Sequence, residues 1–120
     1  MTGFPSPPAE IAACQAAYAT GDKPERTTEK AAVKAILAEL AARAPGHSVE
    51  VRVPPYAAVQ VIPGVRHRRG TPPALVQLDA RTLIALATGT LTWAQAHEAG
   101  AVRASGERSD LTAYFPLYRT

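Results

Sequence analysis

At Ala44-Pro45-Gly46 the hydrophobic period of this chain changes, and neither an all-helical nor an all-β fold accommodates both sides of the change. Upstream, Val33, Ile36, Leu37 and Leu40 share one face at the helical period of about 3.6 residues. Downstream, Val49, Val51 and Val53 alternate with Ser48, Glu50 and Arg52, as a half-buried strand demands. Proline cannot continue the helical ladder and glycine tolerates a left-handed turn, so the boundary is sharp. At 120 residues and 47% hydrophobic, the chain supplies one core and leaves no room for a second domain.

The remaining punctuation divides the chain into short elements. Pro5, Pro7 and Pro8 make residues 1–8 a flexible lead-in to a single domain at 9–120. Residues 9–18 are Ala-rich, carry Ile11, Cys14 or Gln15, and Tyr18 at helical spacing, and are stopped by Gly21. After a polar connector with Pro24, Thr27 or Thr28 caps the longer helix. Residues 56–62 are almost continuously apolar, which predicts a second strand placed centrally with both faces covered. Gly64 and Gly70 bracket a basic segment that reads as a hairpin connection to a third strand at 75–78. Asp79 caps a helix that Gly89 ends, and Thr92 with Gln95 has capping-box spacing for a second helix ending at Gly100. A fourth strand at 101–105 closes at Gly106, and Ser109 or Asp110 caps a last helical turn bearing Leu111, Tyr114 and Phe115. Helices, strands, helices and a late strand give an α+β order.

The longest uncharged stretch, residues 82–97, is too short and too polar for a transmembrane helix. The start, Met1-Thr2-Gly3-Phe4-Pro5, lacks the basic and apolar regions of a secretory leader, and the single Cys14 suits a reducing compartment, so the expected location is cytoplasmic. The formal charge of +3 comes from scattered arginines, with Arg66-His67-Arg68-Arg69 the one cluster, and only 6% of residues are aromatic. That is a poor footprint for nucleic acid, and none is expected as a partner.

Catalytic patterns are equally scarce. His47, His67 and His97 are far apart in the chain and predict no metal, and no cofactor motif accompanies them. Residues 64–70 are glycine-bracketed but lack the Gly-Lys-Ser/Thr close of a phosphate loop. Ser105-Gly106-Glu107 follows a strand without the preceding glycine of a nucleophile elbow. Cys14 would serve thiol chemistry only if exposed near a cation, and Lys23 and Arg26 are the nearest on offer. A non-enzymatic protein is expected.

The carboxy-terminal half resembles the sterol carrier protein fold family: an Asp-capped helix at 79–89, a second helix at 91–100, then Val102-Arg103-Ala104-Ser105-Gly106-Glu107 and a final helical turn. More narrowly, Val49-Glu50-Val51-Arg52-Val53-Pro54-Pro55-Tyr56 and Arg66-His67-Arg68-Arg69-Gly70-Thr71-Pro72-Pro73 look like the actinobacterial branch of bacterial sterol-carrier-protein orthologues. The resemblance covers about residues 28–117. It implies a twisted, mainly antiparallel sheet of about five strands with helices on one face. It also implies an apolar tunnel that takes fatty acyl chains, acyl-CoA or sterol-like lipids, and no catalysis. The apolar residues at facing positions, Val51, Val53, Val59, Val61, Leu83, Leu86, Trp93, Leu111 and Phe115, either line such a cavity or fill a dry core. Arg66, His67, Arg68 and Arg69 are the candidate polar rim. Trp93 is expected to pack against Leu86 and Phe115 at the cavity mouth, where an amphipathic ring suits a wet boundary. The alternative is an interaction or accessory module, a homodimer or an enzyme's partner, that takes no ligand.

Overall fold

In the computed structural model, which describes residues 5–64, 74–106 and 109–118, the caps at Asp79 and Thr92 and the stop at Gly89 act as their chemistry dictates, whereas α2 forms without its expected threonine cap. Pro8 precedes α1 (Ala9–Ala19) and supplies the first carbonyl acceptors, to the amides of Ile11 and Ala12. The longer α2 (Arg26–Arg43) starts two or three residues earlier than a cap at Thr27 or Thr28 would place it, with Glu25 as the flanking residue and no side-chain cap. Its apolar face, Val33, Ile36, Leu37 and Leu40, is buried as the period predicts.

Strands β1 (Val49–Val53), β2 (Ala57–Val61), β3 (Ala74–Leu78) and β4 (Val102–Ser105) form one sheet in the order β2-β1-β3-β4. Among the described residues the sheet has four strands rather than about five, and it is mixed rather than mainly antiparallel: β1 pairs antiparallel with β2 but parallel with β3, and β4 returns antiparallel to β3. The expected central strand at 56–62 is instead the edge strand β2, with Ala58 and Gln60 exposed. Its alanines gave an apolar run without bulk enough to demand cover on both faces. β3 lies beside β1 and not beside β2, so β2 and β3 do not pair as the expected hairpin. Residues 65–73 between them, including the candidate rim Arg66, His67, Arg68 and Arg69, fall outside the described residues.

Asp79 Oδ1 accepts from the Thr82 amide at the start of α3 (Ala80–Thr88), and Gly89 ends it in the left-handed region at φ 81°. Thr92 and Gln95 complete a reciprocal capping box on α4 (Trp93–Glu98). The last helical turn is a single 3-10 turn, Thr112–Tyr114, whose first amide donates to Asp110 Oδ1 at 2.9 Å. One sheet face carries Val49, Val51, Val53, Val61, Val76 and Leu78, all buried, and α2 and α3 pack together on the helical side while α1 rests on both. The opposite face presents Glu50, Arg52, Gln60, Gln77 and Arg103.

Candidate ligand-binding site

The sequence-predicted pocket residues fall into two groups. Val51, Val53, Val61, Leu83, Leu86 and Leu111 are completely buried in the core between sheet and helices, and none of them lines the cavities described below. Their complete burial fits close packing of the layer. Val59 and Phe115 are half-buried against that core. Trp93 is buried and stacks on Phe115, with ring centroids 6.5 Å apart and planes inclined by 8°. It lines a cavity of about 380 Å³ between α4, β4 and the 3-10 turn, together with His97, Glu98, Ala104 and Asp110. There the Thr112 hydroxyl and amide hold the Asp110 carboxyl below the usual carboxylate range, so this cavity carries a fixed anion beside its tryptophan.

Two larger cavities lie on the helical side. The first, about 540 Å³, runs between α1 and α3 and is lined by Ala19, Ile84, Ala85 and Leu91, with Gln15, Thr82, Thr88 and Thr90 along it. The helices account for its apolar character, because α3 turns the edge of its buried stripe, Ile84 and Ala85, toward α1. The Thr88 hydroxyl donates to the Ile84 carbonyl at 2.7 Å and that of Thr90 to the Ala85 carbonyl at 3.3 Å, so neither threonine offers a free donor there. The second cavity, also about 540 Å³, lies where the α1–α2 connector meets Tyr56, and is lined by Lys23, Arg26, Glu29, Asp22 and Pro24. Tyr18 and Arg81 line both cavities, with the Arg81 guanidinium carbon 5.1 Å from the centre of the Tyr18 ring.

The floor of the second cavity is a fixed network. Glu29 accepts from the Tyr56 hydroxyl at 2.6 Å through one carboxylate oxygen and from the Tyr18 hydroxyl through the other. Burial, followed by that hydrogen bond and the Glu29 charge, pushes the Tyr18 phenol above its ordinary range. The hydrogen bond to Glu29 does the same for Tyr56. Both phenols therefore stay protonated as donors at neutral pH. Cys14 is buried below this network, and burial with the nearby Glu29 charge pushes its thiol up, the opposite of what an activated nucleophile needs. Among the described residues no cluster of metal-ligating side chains is present, and no helix is long and apolar enough to cross a membrane.

Sequence reasoning did not single out Tyr18, Glu29, Tyr56 and Arg81 as a unit. Tyr18 was legible as an apolar position on α1, but Glu29 is an ordinary first-turn acid of α2 and Arg81 an exposed first-turn residue of α3. No local spacing connects four residues from four segments.

A mixed sheet with helices packed on one side, followed by a capped α3 and α4 pair and a returning edge strand, is consistent with a sterol carrier protein-like fold. The model of the family described as bacterial SCP ortholog matches residues 25–117, and the chain belongs to that family. Helix α1, which forms one wall of the groove, precedes the matched residues. Comparison with curated proteins gives no match.

Proposed function

We propose that this protein is a non-catalytic carrier of an apolar or amphipathic ligand, and that the ligand lies in the groove between α1 and α3. The observation carrying this reading is the groove itself: about 540 Å³, within the size range of small-molecule sites, and walled by Ala19, Ile84, Ala85 and Leu91. Family membership supports a lipid-carrier role in general. The closed packing between sheet and helices supports the helical side over the interior, since Val51, Val53, Leu83 and Leu86 leave no exposed surface for a tail to touch. Fatty acyl chains, acyl-CoA and sterol-like lipids are the ligand classes to test. Titration with a fluorescent fatty acid and with acyl-CoA is the direct experiment. Saturable uptake of either at ~10 μM or below is expected, and its absence for both removes the reading.

A further inference from the structure

Resting on that carrier reading, we infer that the cavity beside the groove is an anionic head-group subsite, in which Lys23, Arg26 and Arg81 receive the carboxylate or phosphate of an amphipath whose tail lies along α3. The two cavities meet at Tyr18 and Arg81, so one elongated molecule passes from an apolar wall to a charged one without leaving the surface. The charged wall holds three cations against two carboxylates, Asp22 and Glu29. Glu29 already accepts from two tyrosine hydroxyls, while the single Thr20 hydroxyl proton is shared between the Ala17 carbonyl at 3.0 Å and Asp22 Oδ2 at 3.1 Å.

The cations are not so engaged. Among the described residues the ion pairs are Arg43 with Glu39 and Arg52 with Glu50, and none involves Lys23, Arg26 or Arg81. Arg81 instead makes a cation–π contact with Tyr18, its guanidinium carbon 5.1 Å from the ring centre, and its N–H groups have no carboxylate partner among the described residues. The Tyr18–Glu29–Tyr56 network in turn fixes the ring under that guanidinium. A planar fork held at the junction of an apolar groove and a basic pocket is suited to a two-oxygen head group, through charge-assisted and bidentate hydrogen bonds. A neutral head gains nothing from it.

Dodecanoate, dodecyl phosphate and dodecanol share a tail and differ in head, so their binding to the full chain, measured by calorimetry below their critical micelle concentrations, tests the subsite. For the double variant Lys23→Gln, Arg81→Gln, a loss of about tenfold in affinity for the preferred anion is expected, with dodecanol affinity unchanged. Added salt should weaken anion binding to the wild type and leave dodecanol alone, because these cations are exposed. Preference between the two anions assigns the head as carboxylate or phosphate. Wild-type affinity of the double variant for both anions, or an equal loss for dodecanol, overturns the head-group subsite while the carrier reading stands. If none of the three saturates, the head-group subsite is overturned, and the carrier reading fails too if acyl-CoA and the fluorescent fatty acid also show no uptake. Arg81→Lys serves as the control for position: it retains the charge without the fork, and recovery of only part of the lost affinity is the expected result. Full recovery would show that charge alone accounts for the effect and would overturn the two-oxygen recognition.

Discussion

Gly46 shows how much a single residue decides here. Its φ of 152° places the position a Cβ would occupy 2.1 Å from the Ile62 carbonyl oxygen, a collision with backbone that no side-chain rotation relieves. The close approach joins the end of α2 to the end of β2: the Ile62 amide donates to the Ala44 carbonyl at 2.6 Å, and the Ser48 hydroxyl donates to the Ile62 carbonyl at 2.7 Å. Ile62 itself sits at φ 75°, a conformation costly for a β-branched residue and held by those bonds. Gly46→Ala is expected to lower stability by roughly 3 kcal/mol or more, read as a lower urea midpoint at unchanged slope. The tyrosines make a second residue-scale prediction. Tyr18, Tyr56 and Tyr118 all have phenols pushed up in the folded state, the first and last chiefly by burial and Tyr56 chiefly by its bond to Glu29. A raised folded pKa stabilises fully below the unfolded value, near pH 10 for tyrosine, and the contribution is lost as pH rises beyond it. Unfolding free energy should therefore fall above about pH 10, and Tyr18→Phe should make that fall shallower.

Among the elements, those fixed by local chemistry were legible and those fixed by partners were not. The caps at Asp79 and Thr92 and the stop at Gly89 can be read from a few adjacent residues, because each satisfies amides or carbonyls of its own first or last turn. Asp79→Ala should cost about 1 kcal/mol by removing the acceptor for the Thr82 amide, measured by thermal unfolding. Strand order had no comparable local signal. The alternation at Val49, Val51 and Val53 identifies β1 and its buried face, yet nothing in it says that Val51 lies opposite Val59 on one side and Val76 on the other. Parallel pairing of β1 with β3 depends on a crossover, and glycines at 64 and 70 read as hairpin punctuation equally well. The run at 56–62 lies at an edge despite its unbroken apolar character, because its alanines carry little volume and occupy an edge as readily as a core.

For the whole molecule, the site was less legible than the fold, and the reason is assembly. The apolar excess at Leu83, Leu86 and Leu111 is real, but in the folded chain these residues fill the layer, while the groove arises where α1 leans against α3 more than sixty positions later in sequence. Trp93 stacks on Phe115, one of its two expected partners, and lines the smaller cavity, with the Asp110 carboxylate in its wall. The two locations make opposite predictions for bulky substitutions. Ala85 lies in the wall of the α1–α3 groove and is half-buried, so Ala85→Phe places a ring in the space proposed for the tail without replacing a core side chain. Ala94 lies in the wall of the Trp93 cavity and is exposed on α4, so Ala94→Phe fills that space with equally little cost to folding. With the carrier site in the groove, Ala85→Phe should abolish saturable dodecanoate binding at ~10 μM while Ala94→Phe binds as the wild type does. Both variants should keep a melting temperature within a few degrees of the wild type, since neither ring enters the close-packed interior where added volume strains its neighbours. The reverse pattern, with binding lost only in Ala94→Phe, would move the ligand to the cavity beside Trp93 and separate it from Lys23, Arg26 and Arg81 altogether.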